Sequence, residues 1–191
     1  MKLDLAMSIL CQARTNQIVI STMSAAGAWQ HLTDSPLDFT YIPSSMGQGA
    51  ALAFGLALAI PSRPVLALIG DGSLLMNPGC LVTIADWQVN LHVILIENGH
   101  YEVTGGQRLA GSARVDYQQL AEASGIQHRH RFEESADWQQ HVAAIIHGPG
   151  PSFTVLKIDG QQQQKTPTPK RGMAEQVRRL RMELGVDQAP I

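Results

Sequence analysis

Charge is scarce in this sequence. Asp, Glu, Lys and Arg together make up 16% of its 191 residues, against roughly 25% in an ordinary soluble domain. The formal net charge is only −2, so the basic footprint expected of a nucleic-acid or anionic-membrane binder is missing. Few charges beside long Ala/Leu/Gly stretches point to surface covered by another subunit. Cysteine is almost absent as well. Cys11 and Cys80 are the two present; they have no CxxC spacing, lie in apolar helical contexts and read as buried free thiols. That usage excludes a disulfide scaffold and fits a reducing compartment, hence the cytoplasm. Long apolar runs are lacking too. The run 50–60 is nearly all apolar but has only 11 residues, where a bilayer span needs about 20. The start carries Asp4 early and its apolar run stops at Leu10, which is not a signal-peptide pattern. Nucleotide motifs are missing: there is no Gly-x-x-x-x-Gly-Lys-Ser/Thr, and Gly47-Gln48-Gly49, the nearest approach to Gly-x-Gly-x-x-Gly, has Leu52 in sixth place.

What is present alternates between two periodicities. Leu3, Ala6, Met7 and Leu10 make one helical face, predicting a helix over 3–14. Short β-branched or apolar runs predict strands over 18–21, 39–42, 65–69, 91–96, 126–132 and 153–158. Between them, helices are expected from 29 to 33, over 50–60, over 74–87 with an irregular early part at Pro78, over 117–124 and over 135–147. Ser73 and Ser135 are the expected N-caps, and 24–27 reads as a turn. Strands alternating with helices predict a doubly wound, mostly parallel α/β sheet with helices on both faces. Residues 1–160 form that domain; 161–191 read as a polar, proline-bearing linker and a basic amphipathic helix over 173–184.

Two short motifs carry the chemistry. Gly70-Asp71-Gly72-Ser73 follows the apolar run 65–69, and Asn98-Gly99 follows the run 91–96. Each places an oxygen-bearing side chain at the carboxyl end of a buried strand, where open α/β sheets bind ligands. One carboxylate, one amide oxygen and backbone carbonyls suit a hard cation such as Mg²⁺ that also holds phosphate oxygens. Glycines at 70 and 72 let backbone approach a phosphate closely. The loop 98–113, with glycines at 99, 105, 106 and 111, is long enough to expect a functional role. The histidines do not make a second metal site: His128 and His130 alternate with arginines and read as solvated surface, and His31 and His92 as structural.

With these motifs in place the sequence resembles the thiamine diphosphate-dependent enzymes, in their diphosphate-binding domain, over about 18–158. Ser45-Met46-Gly47, the Gly70–Met76 segment and Asn98-Gly99 through Thr104-Gly105-Gly106-Gln107 resemble the sulfopyruvate and phosphonopyruvate decarboxylases, and the chain is similar to a sulfopyruvate decarboxylase β subunit. The resemblance implies the thiamine diphosphate-binding fold, with thiamine diphosphate and Mg²⁺ as cofactors. Asp71, the Asn98 side chain and the His100 backbone carbonyl would ligate the metal. Gly70, Gly72 and Ser73 would hold the diphosphate, and Met46 would sit beneath the cofactor. Ser45 would flank Met46, the Ser44 carbonyl would face the aminopyrimidine, and Tyr101 and Thr104 would lie near the diphosphate or the reactive carbon.

The activating glutamate implied by the family belongs to a pyrimidine-binding domain, and no segment here matches it. Glu97 and Glu102 sit at the diphosphate end. The implied partner is therefore a pyrimidine-domain subunit in a heteromer, the implied substrate a small 2-oxo acid, and the lone chain is expected to be inactive. Those relatives carry a Gly-x-x-Ser-Arg-Glu-like segment after the first strand. Here it is Ser24-Ala25-Ala26-Gly27-Ala28-Trp29, with no arginine for an anionic substrate tail. A carboligase of the acetolactate synthase type and a non-catalytic cofactor-binding module remain alternatives.

Overall fold

The computed structural model describes residues 1–42, 46–160 and 167–186. The predicted calls on Ser44 and Ser45 lie outside the described residues. Six strands form one parallel sheet: β1 (Ile18–Thr22), β2 (Asp38–Tyr41), β3 (Val65–Gly70), β4 (Leu91–Glu97), β7 (His128–Phe132) and β8 (Ser152–Lys157), in the order β2-β1-β3-β4-β8-β7. The remaining strands, β5 (His100–Tyr101) and β6 (Gln107–Arg108), pair antiparallel as a small hairpin inside the loop after β4. The chain moves outward from β1 to β2, then crosses back to place β3 on the other side of β1. The switch point lies between β1 and β3, where a crevice opens at the strand ends.

Side-chain alternation divides the core into two layers. Val65, Ala67 and Ile69 of β3 and Leu91, Val93 and Leu95 of β4 face one side. There they meet α3 (Gly49–Ala59), α4 (Asp71–Met76), α5 (Cys80–Ala85), α6 (Tyr117–Ala123) and α8 (Met173–Glu183). Leu66, Leu68, Ile94 and Ile96 face the other, against α1 (Leu3–Ala13), α2 (Met23–Trp29) and α7 (Ser135–Ile146). Because both faces are covered, the central strands read as continuous apolar runs. Trp138 is fully buried and its Nε1–H donates to the Ala6 carbonyl at 3.1 Å, joining α7 to α1. No helix among the described residues is long and apolar enough to cross a membrane.

Several local expectations are corrected. The segment 24–27 is helical within α2, and the helix expected from 29 is only its end. Alanine is the best helix former, and Ala25, Ala26 and Trp29 are buried, so packing decides what small residues alone leave open. The helix predicted over 74–87 is two helices, broken at Asn77-Pro78, where proline lacks a donor. Ser73 lies inside α4, whose N-cap is Gly70, and Glu134 rather than Ser135 caps α7. Cys80 is buried as expected but Cys11 is only half-buried; both are free. His31 is exposed.

Both sheet edges are protected. The β7 edge is His-Arg-His-Arg-Phe, whose charges discourage pairing. The β2 edge is covered by a side chain of α8. Gln176 accepts from the Thr40 N–H at 2.7 Å and donates to the Thr40 carbonyl at 3.2 Å, as a neighbouring strand would. The tail is further fixed by Gln30, which donates to the Thr168 carbonyl and accepts from the Lys170 N–H, and by Arg171 and Arg179 on Asp34.

Candidate cofactor and metal site

The crevice at the switch point is lined from four places in the chain. Thr22, Met23, Ser24 and Ala25 come from the end of β1 and the start of α2; Met46 precedes α3; Gly70 to Ser73 lead from β3 into α4; Asn98, His100, Tyr101, Glu102 and Val103 follow β4. The structure thus brings together the predicted Met46, Gly70, Asp71, Gly72, Ser73, Asn98, His100 and Tyr101. Thr104 stands apart: it is exposed on the hairpin turn, where its hydroxyl donates to the Gln107 side chain at 3.3 Å.

Asp71 is the electrostatic centre. It is 1% exposed. Its Oδ1 accepts from the Gly72 N–H at 2.8 Å, and its Oδ2 from the N–H groups of Asn98 at 3.1 Å and Gly99 at 2.7 Å. Burial pushes its carboxyl above the usual carboxylate range; the N–H groups of Gly99, Gly72 and Asn98 oppose that rise, and the nearby Glu97 adds to it. No side-chain cation hydrogen-bonds or ion-pairs with it among the described residues. A buried carboxylate held only by amide dipoles beside a second acid is unbalanced, and a divalent cation would restore the balance.

The surroundings suit that cation and a phosphate. The Asn98 Oδ1 accepts from the His100 N–H at 3.0 Å, which aims the amide and leaves a second lone pair. His100 is pinned by its own ring, whose Nδ1–H donates to the Asn98 carbonyl at 2.9 Å. A Cβ added at Gly70 would meet nothing within 4 Å, so open space stands where a ligand would approach. The Ser73 hydroxyl accepts from the Gly47 N–H at 2.9 Å, which leaves its own proton free to donate. Gly47, at φ +88°, is held again by Asn77, which donates to the Gly47 carbonyl at 3.1 Å. Ser73 and Asn77 together therefore fix the residue next to Met46. The arrangement fits Mg²⁺ and a diphosphate.

Glu97 has a different task. Its side chain is 6% exposed and pairs with Arg131 at 2.6 Å and Lys157 at 2.8 Å, clamping the carboxyl ends of β4, β7 and β8. Sequence reasoning set 24–29 beside the substrate by resemblance but missed Thr22 and Met23 in the β1 wall of the crevice. Met23 has φ +48°, the one positive φ outside glycine among the described residues. Strain of this kind is held in place by its surroundings and collects at ligand sites. The available signal was position: the carboxyl end of a strand flanking the switch point. Among the described residues no group of three or more His, Cys, Asp or Glu side chains could hold a metal, and His128 is exposed while His130 is half-buried against Phe132.

A family model described as the thiamine pyrophosphate enzyme C-terminal TPP binding domain matches residues 20–156. The chain is 32% identical over 174 residues to a phosphonopyruvate decarboxylase of Streptomyces viridochromogenes, covering 91% of this chain and 43% of that protein. It is 38% identical over 128 residues to a sulfopyruvate decarboxylase subunit beta of Methanothermobacter thermautotrophicus, covering 66% of this chain and 65% of that one. Among solved structures it superimposes on a thiamine diphosphate-dependent 4-hydroxybenzoylformate decarboxylase of Rhodococcus jostii RHA1 with a TM-score of 0.70 and 16% identity, over 84% of this chain and 33% of the other. The chain spans less than half the length of the phosphonopyruvate decarboxylases it matches.

Proposed function

Since the chain belongs to the thiamine pyrophosphate enzymes, through their C-terminal cofactor-binding domain, we propose that it is the diphosphate- and Mg²⁺-binding subunit of a two-chain thiamine diphosphate-dependent 2-oxo acid decarboxylase. The observation that carries this reading is Asp71: a buried carboxylate with no cationic side-chain partner among the described residues, beside an aimed amide oxygen, at the carboxyl ends of adjacent central strands.

In this reading Asp71, the Asn98 amide oxygen and the His100 backbone carbonyl hold the metal. The Gly72 backbone and the Ser73 hydroxyl hold phosphate oxygens, and Gly70 leaves room for them. Met46 supports the cofactor from below. Thiamine diphosphate, when bound, supplies the electron sink for loss of CO₂ from a 2-oxo acid. Glu97 is committed to Arg131 and Lys157 and does not serve as the activating acid. That role falls to a partner bearing a pyrimidine-binding domain. Exposed Leu58, Met76, Val82 and Trp87 on and around α3 to α5 offer apolar surface for such a subunit.

Calorimetric titration of the chain with thiamine diphosphate, with Mg²⁺ and then with chelator, tests the site. Binding should require the metal, and Asp71→Ala should weaken it by at least 100-fold; an unchanged affinity would sink the assignment. Assembled with a pyrimidine-domain partner, the chain should release CO₂ from a 2-oxo acid. Product formed by joining the substrate to an aldehyde would instead favour a carboligase.

A further inference from the structure

Tyr117 carries a buried hydroxyl that no described residue satisfies. It is 1% exposed, and its Oη has no hydrogen-bond partner. Such a hydroxyl is desolvated without return, and phenylalanine would fill the same space at no such cost. A buried orphan in a native fold calls for an explanation, and a bound ion or a functional role is among the usual ones.

The place of Tyr117 in the fold points to the cofactor crevice. Asp116 caps α6 by accepting from the N–H groups of Gln118 at 2.9 Å and Gln119 at 3.1 Å, so Tyr117 opens that helix. α6 lies between β4 and β7, and β4, β8 and β7 all run parallel. A crossover between parallel strands must return the chain to their amino ends. The first turn of α6 therefore stands at the level of the carboxyl ends, where Asp71 and Glu97 are. Tyr117 belongs to the core layer of Ile69, Leu74 and Leu95. Tyr101 lines the crevice, whereas Tyr117 stands behind that lining. Burial, and after it the charges of Asp71, Glu97 and Tyr101, push the phenol well above the usual tyrosine range, so it stays a neutral O–H.

The acids around it are already served. An ionised carboxylate has about four acceptor places. Asp71 fills three with the N–H groups of Gly72, Asn98 and Gly99, and a cation would take the fourth. Glu97 is held by Arg131 and Lys157. Mg²⁺ is octahedral and sheds water reluctantly, so it arrives with oxygens of its own. We propose that Tyr117 is a positioning residue of this site, whose hydroxyl engages, from the core side, an oxygen ligand that the cation brings. That oxygen belongs to a water or to the diphosphate, and a hydroxyl that both donates and accepts can meet either. The assignment rests on the cofactor reading above.

Tyr117→Phe in the full chain tests it, since the ring is kept and only the hydroxyl goes. Without ligand, the urea midpoint of the variant should equal or exceed that of the parent. In calorimetric titrations, Mg²⁺-dependent binding of thiamine diphosphate should be roughly 10- to 100-fold weaker, the usual loss when a group that orients a metal's ligands is removed. The parent should also show a tyrosine ultraviolet difference band on loading that the variant lacks. A loss seen when Mg²⁺ is varied, and abolished at saturating Mg²⁺, places the hydroxyl on a water of the metal. A loss that persists there places it on the diphosphate. Affinity within twofold of the parent overturns the role of Tyr117, and a lowered urea midpoint with unchanged affinity makes the hydroxyl a structural one. A parent that does not bind thiamine diphosphate overturns the cofactor reading itself; a parent and variant that bind equally overturn only the part given to Tyr117.

Discussion

Gly72 leaves no room for a side chain. A Cβ there would lie 2.5 Å from Cε1 and 2.8 Å from Cδ1 of the Tyr101 ring, and Asp71 next to it spends Oδ1 on the Gly72 N–H. Gly72→Ala should therefore push the ring aside and cost about 1–3 kcal/mol, the usual penalty for overpacking. Urea unfolding of the single variant and of Gly72→Ala/Tyr101→Ala separates the causes: the second change should recover most of the loss if the ring is the obstacle, and none if the backbone itself is strained. At this scale much of the site was legible. Asp71 and Asn98 could be picked out because oxygen-bearing residues ended two apolar runs and opened glycine loops. Met23 could not, because a positive φ at a non-glycine residue is imposed by tertiary packing and leaves no mark in composition. Nor could the commitment of Glu97 to Arg131 and Lys157, which joins residues far apart in sequence.

Elements were legible where a pattern ran long enough and obscure where small residues left it ambiguous. The runs in β3 and β4 predicted their strands within a residue at each end. The Ser-Ala-Ala-Gly-Ala stretch of α2 favours neither turn nor helix until Ala25, Ala26 and Trp29 are packed against the sheet. The hairpin of β5 and β6 was hidden in a loop, since two residues per strand are too few for an alternation to show. The tail helix read correctly as a helix, but its basic, amphipathic character did not disclose its partner. That partner is the β2 edge, reached through one amide. Gln176→Ala should strip both bonds from Thr40, leave a buried N–H and C=O unpaired and cost about 2 kcal/mol. The urea midpoint should fall, and gel filtration at increasing concentration should reveal self-association through the bared edge. A midpoint equal to the parent's would mean that the edge does not need its cap.

For the whole molecule, pH acts through a histidine far from the crevice. His92 is fully buried in β4, its Nδ1 lies 2.8 Å from the Ser152 hydroxyl, and its Nε2 has no hydrogen-bond partner. Burial pulls its imidazole down to about 4, and the charges of His147, His130 and His128 add to the fall. The unfolded chain then binds the proton that the native state refuses between about pH 6.5 and pH 4, so stability is full above that window and is lost as pH drops through it. Between pH 7.5 and pH 5 the loss from this one group should be about 2 kcal/mol. Denaturation midpoints of the parent and of His92→Asn across that range check the sign and the source, since parallel curves would place the acid sensitivity elsewhere. The Gln176 cap has a consequence in time as well as in energy. Thr40 leaves the ribosome 136 residues ahead of the amide that covers it. At roughly 5–20 residues per second of synthesis, the nascent β2 edge stays bare for on the order of ten seconds. During that interval a nascent-chain chaperone, or a neighbouring chain on the same messenger, has access to it.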